Sequence, residues 1–222
     1  MLKAGLHFGH RTSKWHPKMA PYIYGSRNGV HIIDLIKTED NLNKALVYMK
    51  KLTAEGKMIL FVGTKDQVKK PLKAMATEIN MPFVNEKWLG GLLTNFSIIK
   101  KLIKKYVDLR DKKKAGKLVK YTKKEQLEFD REINKLEDRV GGLANLTRTP
   151  DAIFIWDIKT EKTALAEAMK KKIPVIALCD TNVNPDGIKY VIPANDDATK
   201  GIKLILNTIK NAILESKNEV KK

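Results

Sequence analysis

Cysteine occurs once in these 222 residues, at Cys179. That rules out an internal disulfide framework and a cysteine-rich zinc module. Long apolar runs are missing as well. The longest, such as MILFV and AIFIW, fall far short of the ~18 residues that cross a bilayer. The opening MLKAGLHFGHR lacks the apolar centre of a signal peptide, so the expectation is a cytoplasmic protein with no membrane partner. Acidic residues are scarce beside basic ones, 25 Asp and Glu against 43 Lys and Arg, for a formal net charge of +18. A fold carries that much self-repulsion most easily against a polyanion, although a lysine-favouring genome would give the same excess without a partner.

Catalytic signatures are also absent. There is no G-x-G-x-x-G, no G-x-x-x-x-G-K-[ST], no H-E-x-x-H and no G-x-S-x-G. Cys179 lies in an apolar run, where a buried structural thiol is expected.

What is present is a rhythm of short apolar runs and helical patterns. VHIIDL (30–35), MILFV (58–62), PFVN (82–85), DAIFIWD (151–157), PVIALCD (174–180) and YVIP (190–193) read as strands. Between them, apolar residues recur at three- and four-residue spacing, as at Leu42, Leu46, Met49 and Leu52 after a cap at Thr38, through Leu72, Met75 and Ile79, and from Ile202 to Ile213. Strands written as continuous apolar runs are buried on both faces, which predicts a parallel sheet in an α/β layer architecture. Residues 95–145 break the rhythm. Ile99, Leu102, Tyr106 and Leu109, then Phe129, Ile133, Leu136 and Val140, predict two amphipathic helices with narrow seams, an antiparallel coiled-coil helical hairpin. Residues 97–142 carry 15 Lys and Arg against 8 Asp and Glu, so an anionic partner suits the outer face.

Three places hold candidate chemistry. HFGHRTSKWHPKM (7–19) contains three of the four histidines, His7, His10 and His16, with Arg11, Lys14, Trp15 and Lys18 among them. It reads either as a metal site without a complete ligand pattern or as a basic, aromatic arm. LFVGTKDQ (60–67) is a strand, a glycine turn and a helix start that sets Lys65 to meet an anion, whether a nucleotide or an RNA phosphate. Asp180, Asp196 and Asp197 are predicted at one sheet edge, where carboxylates would take Mg²⁺ or another divalent cation; helix capping by Asn195 or Asp196 explains the last two without any metal.

AGLHFGHRTSKWHPKMAPYIYGSRNGVHIIDL, ILFVGTK, FVNEKWLGGLLTNF, TPDAIFIWD, IPVIALCDTN and YVIPANDDA follow one another along the whole chain. In that order they resemble the bacterial-type ribosomal protein two of the small subunit, with departures such as His16, where asparagine is usual. The resemblance implies a flavodoxin-like parallel sheet flanked by helices, carrying the inserted hairpin. It implies a structural, non-enzymatic protein of the ribosome with no required cofactor. Its partners would be small-subunit ribosomal RNA and neighbouring small-subunit proteins, including ribosomal protein one, which it helps to anchor. The expected organisation is a basic N-terminal arm (1–29), an α/β domain (30–94 and 146–216), a protruding hairpin (95–145) and a basic tail (217–222). Arg11, Lys14, Trp15, Lys18, Arg27, Lys65, Lys100 and Lys104 are the expected RNA contacts, with Trp88, Gly90 and Gly91 fixing the hairpin junction.

Overall fold

The structure, a computed structural model, describes residues 1–219. The chain begins with three short strands, β1 (Phe8–Arg11), β2 (Ile23–Arg27) and β3 (Val30–Ile33), joined in an antiparallel sheet of order β1-β3-β2. VHIIDL thus does form a strand, but outside the parallel sheet expected for it. Asp34 ends it by capping the next helix, its carboxylate accepting from the backbone of Ile36 at 3.0 Å. That helix, α1 (Leu35–Ala54), starts before Thr38. Thr38 is therefore an interior residue and not the cap; its hydroxyl donates to the carbonyls of Asp34 and Pro193.

From β4 onward strands and helices alternate except for the helix pair α3–α4 and the direct passage from β7 to β8: β4 (Ile59–Val62), α2 (Asp66–Glu78), β5 (Phe83–Val84), α3 (Phe96–Lys114), α4 (Lys123–Val140), β6 (Ala152–Ile155), α5 (Lys162–Lys170), β7 (Val175–Cys179), β8 (Tyr190–Pro193) and α6 (Thr199–Glu219). The five later strands pair in parallel in the order β5-β4-β6-β7-β8. Numbered within the sheet this is 2-1-3-4-5, the flavodoxin-like arrangement.

The continuous apolar runs follow from burial on both faces. Ile59, Phe61, Phe154, Ile176 and Leu178 point into one core with the apolar stripes of α1, α2 and α6. Their neighbours Leu60, Val62, Ile153, Ile155, Ala177 and Cys179 point into another, which also holds Ala164 and Ala168 of α5, Trp88, and the inner residues of α3 and α4. Each fully buried aliphatic or aromatic side chain contributes ~1.5–3 kcal/mol, so both layers are needed to hold strands of only two to five residues.

Helices α3 and α4 contact each other. Their buried residues are Ile99, Ile103 and Tyr106 on one and Ile133, Leu136 and Val140 on the other. Ion pairs Lys105–Glu132 and Lys113–Asp130 lie along the pair. Thr122 and Glu125 form a reciprocal capping box that starts α4. At the far end of the chain, residues 217–219 continue α6; the remainder of the expected tail lies outside the described residues.

Candidate nucleic-acid interface and the filled crevice

In an open parallel sheet, ligands settle beyond the carboxyl ends of the strands, at the point where strand order reverses. Here that point lies between β4 and β6, and side chains of the protein fill it. The Lys65 ammonium lies 2.7 Å from Asp197, 2.9 Å from Asp196 and 3.7 Å from Asp157. Glu161 adds a carboxylate whose Oε1 accepts from the backbone N–H of Thr64 at 2.9 Å and from its hydroxyl. Those are the donors that a phosphate-binding turn would offer to a ligand. An internal carboxylate thus stands where a phosphate would sit, and the surrounding aspartates would repel one.

The electrostatics follow from burial. Burial pushes Asp196 up to about 6, with Asp157 and Asp180 adding to the rise and Lys65 opposing it. Burial likewise raises Glu161 against its bonds from Thr64. For Lys65, burial works against the charge, but hydrogen bonds to Asp197 and Asp196 outweigh it and hold the ammonium above its ordinary range. Asp180 is buried and lies 3.0 Å from Nδ1 of His10; that hydrogen bond raises the imidazole above its ordinary value. Burial also pushes the Cys179 thiol far up, so it is a poor nucleophile.

Of the three aspartates expected at one sheet edge, Asp196 and Asp197 both lie on Lys65, and Asp180 is near enough to help raise Asp196; the position of Lys65 differs from the expected one. Lys65 does not stand open to an external phosphate, because three aspartates already hold it. The histidines, in contrast, are dispersed. His10 pairs with Asp180, His16 accepts from the backbone of Lys18, and His7 lies against Phe8. Among the described residues, no group of three or more His, Cys, Asp and Glu side chains is disposed to hold a metal ion.

The N-terminal segment docks on this end of the sheet. Leu6 and Met19 are fully buried. The backbone N–H of His16 donates to the Thr181 carbonyl at 2.8 Å, and that of Asn195 to the Leu6 carbonyl at 3.0 Å. The approach is close enough that a Cβ on Gly9 would lie 2.6 Å from the Thr181 methyl, so only glycine fits there. The outward side of the segment is basic. Arg11 and Arg27 both stand opposite Val30, on either side of β3. Residues directly opposite share a face, so the two guanidinium side chains leave the same face about 10 Å apart, two strand spacings. Lys14 is exposed in the turn after β1. Trp15 is 39% exposed and rests on His31, with ring centroids 5.2 Å apart. Tyr24 is exposed on β2. Lys18 is exposed but paired with Asp186. On α3, Lys100 and Lys104 are exposed one turn apart on one face.

Residues 85–96 are organised by a side chain the sequence reading missed. Glu167 of α5 is buried, and its two oxygens accept from Trp88 Nε1 (3.0 Å), the backbone N–H groups of Gly91 (2.8 Å), Leu93 (3.0 Å) and Thr94 (3.0 Å), and the Thr94 hydroxyl (3.1 Å). Burial opposes the charge, but these bonds together hold the carboxyl below its ordinary range. Gly91 has φ +88°, the left-handed conformation that favours glycine, whereas Gly90 has no such constraint and open space around it. A signal was there to be read: Glu167 shares the inward stripe of α5 with Ala164 and Ala168, an acid at a core position that demanded donors.

Compared with known protein families, residues 1–216 match the family model described as Ribosomal protein S2.

Proposed function

The chain belongs to the ribosomal protein S2 family, a structural, non-enzymatic family of the small ribosomal subunit, and from that premise we propose how it attaches to ribosomal RNA. The contact is made by Arg11, Lys14, Trp15 and Arg27 on the N-terminal sheet and by Lys100 and Lys104 on α3, with Lys18 joining once it leaves Asp186. The observation that carries this reading is the separation of charge. The buried Asp180 and Asp196 are turned onto His10 and Lys65, and Asp197 is tied to Lys65, while Arg11, Lys14 and Arg27 stand exposed, with Trp15 exposed on the His31 side of the same sheet. Lys and Arg neutralise phosphates and release counterions without reading base sequence, and an exposed ring adds a stacking surface for an unpaired base.

Helices α3 and α4 form the protruding hairpin in this reading, and the loop clamped by Glu167 sets its angle. Anchoring of ribosomal protein one is carried by the family resemblance. The protein works in the cytoplasm, within the ribosome.

The test is binding of the full chain to small-subunit ribosomal RNA across a salt series. Replacing Arg11, Lys14 and Arg27 together with Gln removes three phosphate contacts, which lowers the slope of log K against log salt by ~2 to 3. An unchanged slope overturns the assignment of the interface. Recovery of tagged protein only at the top of a ribosome gradient overturns the RNA-bound reading itself.

A further inference from the structure

The opposite end of the parallel sheet carries a second feature, made by the C-terminal half of α1 and the start of β8. A recess of about 430 Å³ opens there, lined by Lys44, Tyr48, Lys51, Lys57, Lys189 and Tyr190 among others. The two tyrosine rings stack, with centroids 4.8 Å apart and planes 28° from parallel. The Lys189 ammonium lies 4.6 Å from the Tyr48 centroid and 5.7 Å from that of Tyr190. Lys57 is committed to Glu55 at 2.6 Å. Glu55 also lines the recess and feels the charge of Lys51, but among the described residues no carboxylate lies within ion-pair distance of Lys44, Lys51 or Lys189, and all three are exposed.

Why should such a group gather here? Lys51 complements the negative end of α1, but Lys44 lies two turns earlier and Lys189 on the neighbouring loop, beyond that field. Holding them together around a recess costs repulsion that an anion would relieve. The aromatic pair points to the kind of anion. A plain phosphate or an acidic peptide has no use for stacked rings, whereas an unpaired nucleotide brings both a phosphate and a π-face. We propose that the Tyr48–Tyr190 recess is a second RNA contact, which takes an unpaired nucleotide with its phosphate on Lys44, Lys51 and Lys189 and its base against the tyrosine pair. This rests on the RNA-bound reading above and extends it. The N-terminal sheet sits at the carboxyl end of the strands and the recess at their amino end, so the globular body would bridge two RNA segments.

The test is ultraviolet crosslinking of assembled small subunits that contain the full chain, with crosslinked peptides mapped by mass spectrometry. Nucleotide adducts on Tyr48 or Tyr190 are expected, and replacing Lys44, Lys51 and Lys189 together with Gln should cut their yield about tenfold. In the free protein, the same triple substitution lowers the salt slope for a single-stranded RNA oligonucleotide by ~2. Tyr190→Ala weakens that binding about tenfold, as the loss of one stacked base does, while Tyr190→Phe leaves it unchanged. The lysine variants keep the test valid if Tyr190→Ala fails to fold. Adducts on the N-terminal sheet or α3 with none at the recess overturn this inference alone. Amine-reactive crosslinks from these lysines to an acidic neighbouring protein, without nucleotide adducts, overturn it in favour of a protein contact. Absence of RNA adducts anywhere on the chain overturns the RNA-bound reading.

Discussion

Glu167→Gln is the sharpest probe of how the 85–96 loop is held. The substitution keeps the shape of the side chain but turns one acceptor oxygen into an NH₂ group. Oε1 serves Trp88 and Gly91; Oε2 serves Leu93 and both donors of Thr94. Whichever way the amide is turned, at least two N–H donors lose their acceptor and face another donor instead. An unsatisfied buried donor costs ~1–3 kcal/mol, so the variant should lose about 2–5 kcal/mol, a large share of the ~5–15 kcal/mol that holds a typical domain. Urea unfolding followed by tryptophan fluorescence measures the loss directly. In a chain of this size it corresponds to a melting point lower by ~4–20 °C. The pH profile supplies a second readout. Because the folded carboxyl lies below its ordinary range, its contribution is present above the unfolded value of ~4.3 and is lost as pH falls through the folded value. The gap between wild type and variant should therefore narrow below pH ~4. A loss under ~0.5 kcal/mol at neutral pH, or a gap that widens in acid, would refute the argument that the carboxylate organises the loop.

Lys65→Met leaves Asp157, Asp196 and Asp197 without their shared cation. It should cost about 2–4 kcal/mol at pH 7, and less near pH 5 where Asp196 takes up a proton, as urea melts at the two pH values would show. Asp196 itself, raised to about 6, adds stability below its unfolded value of ~3.9 that is gone once pH passes the folded value. Asp196→Asn should flatten the stability profile across that window. His10→Ala should cost more at pH 6 than at pH 9, because the raised imidazole contributes fully below its unfolded value of ~6.5 and is lost as pH rises through the folded one; paired urea titrations check the sign. Trp88→Phe removes the indole donor to Glu167 together with one ring of a buried side chain and should cost ~1–3 kcal/mol, measured in the same melts.

The N-terminal segment shows where sequence patterning stops short. VHIIDL announces β3, but β1 and β2 are four and five residues long and mix glycine, histidine, serine and arginine with apolar residues, so neither alternation nor a continuous run announces those two. They form because Leu6 and Met19 are buried in the main cores and because β3 supplies a ladder to both neighbours. The charge at the site was legible, since exposed Arg and Lys need no partner in the chain to be counted. Which of them stay exposed was not legible: Lys65 and Arg11 look alike in one dimension.

The amino-acid sequence by itself determined the parallel sheet, because strands buried on both faces must be written as unbroken apolar runs, and it determined the two amphipathic patterns between β5 and β6 through their spacing. The end-to-end set of motifs determined the family. Only the tertiary structure decided what the ionisable groups do. Lys65 meets Asp196 across 131 positions, Glu167 meets Trp88 across 79, and the backbone of His10 meets the Thr181 hydroxyl across 171. Pairings at that range carry no local signal. They come into being when the strand ends are brought side by side and water is excluded, leaving each buried charge to find its partner within the fold.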